Sequence, residues 1–73
     1  MKVKDLIVRL QQFDPELVVF IDGYEGGIEE VESANEHTIA LNCNEEWYYG
    51  SHELVNEFAQ HEGKERVQGV YIG

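Results

Sequence analysis

The chain has 73 residues, with 15 Asp or Glu, 5 Lys or Arg, 3 His, one Cys, one Pro and a formal net charge of −10. That length holds one small domain, and a single cysteine excludes an internal disulfide framework. The negative charge disfavours direct binding to DNA, RNA or anionic lipid, and no apolar run is long enough for a membrane span.

At the N-terminus, Val3, Leu6, Ile7, Leu10 and Phe13 recur at three- and four-residue steps, with polar residues between them. This spacing predicts an amphipathic helix over 2–13 with one apolar stripe and no evident capping box. Asp14-Pro15 ends it, because the residue before proline is driven out of helical geometry. Leu17 to Ile21 is a continuous apolar run too short for a helix, and it reads as a strand buried on both faces. Asp22-Gly23-Tyr24-Glu25-Gly26-Gly27 is a glycine-rich turn expected to visit positive φ. Residues 28–34 read as a partly exposed strand and Asn35-Glu36 as a turn. Residues 37–43 read as an alternating strand with Ile39, Leu41 and Cys43 on one face. Together these predict a three-stranded antiparallel meander.

Residues 44–50, Asn-Glu-Glu-Trp-Tyr-Tyr-Gly, form an aromatic loop. Ser51 fits the N-cap of a second helix running to about His61, with Leu54, Val55 and Phe58 as its apolar face and Gly63 as its terminating glycine. Residues 66–72 read as a final strand. The expected fold is α+β in the order α-β-β-β-α-β, a single domain over 1–73. Its four-stranded, mostly antiparallel sheet carries both helices on one face.

The charge is segregated. From Leu10 to Gly63 there is no Lys or Arg, while thirteen carboxylates fall in that stretch. A surface made acidic only for solubility tolerates interspersed lysines, so the pattern favours a field aimed at a basic partner. The aromatics supply the anchors. Three consecutive aromatics at 47–49 cannot all face a core if the segment is extended, so at least one of them is exposed or faces a cleft. The candidate partner-binding residues are Tyr24, Glu25, Glu29, Glu30, Glu32, Glu45, Glu46, Trp47 and Tyr48. Trp47 and Tyr49 plugging the core, with Tyr48 over the sheet edge, is the structural alternative.

Signals for catalysis are weak. His37, His52 and His61 lack a zinc-ligand spacing. Asp22, Glu25, Glu29 and Glu30 offer oxygens to Ca²⁺ or Mg²⁺ but do not follow the EF-hand pattern. Cys43 reads as a small buried core residue, and a Cys43–His52 pair has no orienting third group. No catalytic residue, metal site or cofactor is assigned.

The run Val3-Lys4-Asp5-Leu6-Ile7-Val8-Arg9-Leu10-Gln11-Gln12-Phe13-Asp14-Pro15-Glu16-Leu17-Val18-Val19, the string Gly23-Tyr24-Glu25-Gly26-Gly27 and the run from Leu41 to Trp47-Tyr48-Tyr49-Gly50 resemble a group of small acidic proteins encoded by phages and prophages. The resemblance assigns no activity and no site. It implies a phage-type setting, in which small acidic proteins resemble inhibitors of host defence in size and charge. The expectation is therefore a non-enzymatic cytoplasmic protein, in the host cytoplasm if phage-encoded. It would inhibit a basic, nucleic-acid-handling host protein, with homo-oligomerisation as a further expected association. The alternative is an oligomeric binder or sponge for a nucleotide-like ligand, using the glycine-rich turn and the aromatic loop.

Overall fold

The structure is a computed structural model that describes residues 1–73. It contains α1 (Val3–Leu10), β1 (Phe20–Asp22), β2 (Ile28–Glu30), β3 (Ala34–Ala40), β4 (Glu53–Leu54) and β5 (Arg66–Ile72). The chain divides into two compact units, Met1–Ser33 with Ile72–Gly73, and Ala34–Tyr71. The strands form a two-stranded sheet, β1-β2, and a three-stranded sheet in the order β4-β3-β5. The fold is α+β, but the expected four-stranded sheet and second helix are both overturned.

In the first unit, α1 forms on the predicted stripe but is shorter than 2–13. Contrary to the expectation of no capping box, the Asp5 carboxylate accepts the Lys2 backbone N–H at 3.0 Å. Asp5 also lies in the first turn and Arg9 in the last, each at the helix end whose partial charge it offsets. The helix stops at Leu10, short of the expected end at Asp14-Pro15, because the Gln12 and Phe13 N–H groups turn to the Arg9 and Leu10 carbonyls three residues back. Beyond it the Asp14 side chain accepts the Glu16 N–H at 2.9 Å, while the Leu17 N–H donates to the Asp14 carbonyl at 3.1 Å. That local side-chain bond competes with helix continuation.

The segment from Leu17 to Ile21 is not a strand buried on both faces. Only its end enters β1, and Leu17, Val18, Val19 and Phe20 are all exposed. The reason is that the β1-β2 hairpin is a two-stranded ribbon, and pairing alone covers neither of its faces. β1 and β2 are antiparallel, with Phe20 opposite Glu30, Ile21 opposite Glu29 and Asp22 opposite Ile28. The turn between them has positive φ at Glu25, Gly26 and Gly27, as the glycine spacing predicted. It closes through the Gly23 N–H to the Gly27 carbonyl at 3.0 Å. A Cβ on Gly23 would lie 2.6 Å from the Gly26 carbonyl oxygen, so the turn excludes any side chain there. The unit ends on a backbone clasp in which Gly73 O accepts the Glu32 and Ser33 N–H groups at 2.9 and 2.8 Å. The Gly73 N–H donates in return to the Ser33 carbonyl at 3.0 Å.

In the second unit, β3 is the central strand. It begins at Ala34, so the turn expected at Asn35-Glu36 is instead strand, and β3 leaves the predicted meander to pair elsewhere. Ile39 faces Leu54 and Ala40 faces Glu53 across an antiparallel pair, and the Val55 N–H extends it to the Thr38 carbonyl at 3.0 Å. On the other side, the Leu41 N–H donates to the Glu65 carbonyl at 2.8 Å, and Gln68 Nε2 donates to Thr38 Oγ1 at 2.8 Å. β5 occupies the predicted range. Ala40, which sequence alternation put on the face opposite Ile39, is the one fully buried apolar side chain.

The second helix is absent because its residues have stronger local partners. Leu54 pairs with β3, and the Asn56 side-chain oxygen accepts the Phe58 and Ala59 N–H groups at 2.8 and 2.9 Å. Asn56 therefore draws these amides into a turn instead of a helical ladder. Gly63 does adopt positive φ, but in a turn where the Lys64 N–H reaches the His61 carbonyl.

Gly23→Ala is expected to destabilise the protein by more than about 1 kcal/mol, whereas Gly50→Ala, with open space at its Cβ, is expected to be neutral or slightly stabilising. Urea unfolding followed by circular dichroism distinguishes them, and equal losses would refute the close approach at Gly23.

Candidate functional site

The aromatic loop is built on a hydrogen-bonded base. The Cys43 and Asn44 N–H groups both donate to the Ser51 carbonyl, at 2.7 and 3.2 Å. Asn44 Nδ2 donates to the Gly50 carbonyl at 2.8 Å and to Glu53 Oε1 at 2.7 Å. Asn42 precedes this closure with positive φ, and its N–H donates to His52 Nδ1 at 3.0 Å. Inside the loop, the Tyr49 N–H donates to the Glu46 carbonyl at 3.1 Å. Residues 43–51 thus form a compact surface loop whose ends are tied together, the geometry of an Ω-loop.

What the loop presents is aromatic. Trp47 is 93% exposed, and Tyr48 and Tyr49 are also exposed. The Trp47 and Tyr48 rings meet edge to face, with centroids 5.7 Å apart and an interplanar angle of 87°; Tyr48 and Tyr49 are tilted at 5.5 Å. Such contacts contribute roughly 0.5–1.5 kcal/mol each when buried and less at an exposed site, enough to bias how the three rings are displayed. Glu45 and Glu46 are exposed immediately before them. The alternative in which Trp47 and Tyr49 plug a core is overturned, because a tight loop 43–51 leaves no interior to receive them. Tyr49 joins the candidate surface, a residue the alternation argument had left on the core side.

The other sequence-derived candidates sit in the first unit. Tyr24 is almost fully exposed at the tip of the hairpin turn, beside exposed Glu25. Glu29 and Glu30 are exposed on β2, and Glu32 follows. The candidates therefore form two groups, Tyr24, Glu25, Glu29, Glu30 and Glu32 on one unit and Glu45, Glu46, Trp47 and Tyr48 on the other. Fourteen of the fifteen acidic residues are exposed, and the fifteenth, Glu53, is half-buried and bonded to Asn44.

Phe58 was missed by the sequence reading, which assigned it to a helix core. It is 90% exposed at the turn capped by Asn56, next to Glu57. The signal lay in Asn56 two residues before it, a residue that favours turns over helix interiors. The cations of this unit are occupied locally: Lys64 Nζ donates to the Asn42 carbonyl at 3.1 Å, and the Arg66 guanidinium donates to the Gln60 carbonyl.

No three His, Cys, Asp or Glu side chains converge to hold a metal ion. Cys43 is half-buried, not sealed in a core, and its Sγ approaches the Ala40 carbonyl at 3.6 Å. His52 Nδ1 accepts the Asn42 N–H. His37 packs edge to face on Tyr71 at 6.1 Å. No helix is long and apolar enough to cross a membrane. Comparison with known proteins finds no matching family model, no similar curated protein and no similar solved structure.

The free protein is expected to show a red-shifted Trp47 emission that acrylamide quenches nearly as readily as free tryptophan. Asn44→Ala should loosen the loop base and speed amide exchange at 47–49. A blue-shifted, protected emission would place Trp47 inside the protein and remove it from the surface.

Proposed function

We propose that the protein is a non-enzymatic binding protein whose anionic, aromatic-studded surface takes a basic protein partner. The observation that carries this reading is the exposed Trp47-Tyr48-Tyr49 cluster, held out on a tied loop directly after Glu45 and Glu46. A lysine or arginine laid on the Trp47 face gains a cation–π contact of about 0.5–2 kcal/mol while its charge meets the adjacent carboxylates. Trp and Tyr give large contact areas with little side-chain entropy to lose, which makes them strong interface anchors. Phosphate is repelled by the same carboxylates, so a basic protein surface fits better than a nucleic acid. By resemblance and charge, the partner is a nucleic-acid-handling protein of the host cytoplasm, and the effect is inhibition of a host defence by covering its basic groove.

In this reading the two kinds of residue act on different rate constants. Long-range charge governs encounter, so Glu29→Lys with Glu30→Lys should slow association more than it speeds dissociation. Trp47→Ala should instead speed dissociation and cost about 2 kcal/mol or more, roughly 30-fold in affinity. Affinity capture from host lysate at low and high salt, followed by surface plasmon resonance on the captured protein, tests both. Capture that does not weaken with salt, or an association rate untouched by the charge reversals, refutes the reading. If no protein is captured and a nucleotide-like ligand that quenches Trp47 co-purifies, the ligand-binding alternative replaces it.

A further inference from the structure

Asn42 leads into the aromatic loop with a left-handed backbone, and both of its main-chain polar groups are held by titratable side chains. Its N–H donates to His52 Nδ1 at 3.0 Å, and its carbonyl accepts from Lys64 Nζ at 3.1 Å. The two contacts differ in kind. A lysine donates in its ordinary charged form, whereas an imidazole nitrogen accepts only while it carries no proton. The bond therefore puts the single proton of neutral His52 on Nε2 and leaves Nδ1 bare. A second proton would place an N–H on Nδ1, facing the N–H of Asn42, and two donors cannot bond.

This bond is the outer rung of the loop base, next to the Cys43 and Asn44 bonds to the Ser51 carbonyl. The cavity beside His52 is completed by Ile39 from β3, Glu53 and Leu54 from β4 and Tyr71 from β5. Glu53 already accepts from Asn44 Nδ2 at 2.7 Å, so its carboxylate serves the same loop base. A tyrosine phenol is neutral throughout the range in which histidines titrate. Lys64 brings its charge to the residue that His52 bonds, so it repels an imidazolium there, while Glu53 attracts one. Neither charge restores an acceptor to the Asn42 amide. Of the other two histidines, His37 packs on Tyr71, and His61 meets Lys64 through its backbone carbonyl.

We propose that His52 is a proton-operated latch on the loop at 43–51, closed by the neutral ring and released when the ring is protonated. The closed loop binds one proton fewer than the released one. Closure is therefore favoured as pH rises and lost as pH falls through the range, about pH 5 to 8, in which histidines change charge. The rings of Trp47, Tyr48 and Tyr49 are carried on that loop, so acid loosens the platform that displays them. The consequence for a partner, weaker capture in acid, rests on the binding reading above; the latch itself does not.

Nitrogen-15 NMR of the full chain, titrated from about pH 8 to about pH 5.5, tests the proposal. At high pH the His52 ring signals should place its proton on Nε2. The Asn42 amide signal should then move with the His52 ring at a common midpoint. Its protection against exchange, corrected for the intrinsic effect of pH, should fall roughly 2- to 10-fold. His52→Asn, whose Oδ1 takes the place of Nδ1 and does not titrate, should keep the Asn42 amide protected at both ends of the range. His52→Ala should leave it unprotected at both. Glu53→Gln should retain the response, and its loss there would assign the titration to Glu53 and overturn the proposal. A proton on Nδ1 at high pH, an Asn42 amide indifferent to the His52 titration, or an unchanged response in folded His52→Asn overturns it as well. Should the variants unfold, the wild-type tautomer and the Asn42 titration still decide. These measurements need no partner, so the latch fails on the Asn42 amide and the binding reading fails on capture, each independently.

Discussion

Backbone hydrogen bonding, with little side-chain burial behind it, holds each unit of this protein. The β3 strand is paired on both sides, and the Gly73 backbone clasps Glu32 and Ser33. Each such bond contributes only about 0.5–1.5 kcal/mol net, because the unfolded chain bonds to water instead. Small domains ordinarily add apolar burial to that ladder, and here Ala40 alone is fully buried. The shortage of interior explains why so many side chains remain at the surface. It leaves exposed side chains of two kinds, those beside α1 and those of the loop at 43–51.

Chemistry separates the two kinds. The groove beside α1 is apolar, with Leu, Val and Phe side chains and Asp14 as its one charge. The loop at 43–51 is aromatic and follows two glutamates, and its base is fixed by Asn44 and by backbone bonds to Ser51. A surface of the first kind gains from exclusion of water and is indifferent to the charge of its surroundings. A surface of the second kind gains from an opposite charge at close range and an apolar stem laid on a ring.

Local chemistry that competes with regular structure shaped both units. Asn56 captures the two amides that a helix would have used, which turns an apparently amphipathic stretch into a short strand and a turn displaying Phe58. Asp14 captures the Glu16 amide, which holds a turn between the end of α1 and Leu17–Val19. In each case one short polar side chain redirected apolar residues from a predicted core to the surface. A period-based reading weighs the apolar residues and overlooks the polar one that decides between helix and turn.

The sequence by itself determined what depends on neighbours along the chain. The helix stripe, the positive-φ turn at Gly23–Gly27, the β5 range and the accumulation of carboxylates without cations all follow from local spacing and backbone preference, whereas the helix ends at Leu10 and not at the expected Asp14-Pro15. Strand partners, the missing second helix and the exposure of Trp47, Tyr48 and Tyr49 were decided only in three dimensions. The alternation argument required at least one of those aromatics to be exposed, and the closed loop base exposed all three. Pairing β3 with β4 and β5, and not with β2, depends on which distant segments supply complementary backbone edges. Burial depends on how many layers are stacked, and a two-stranded ribbon has no second layer with which to cover the apolar run that the sequence wrote for a core.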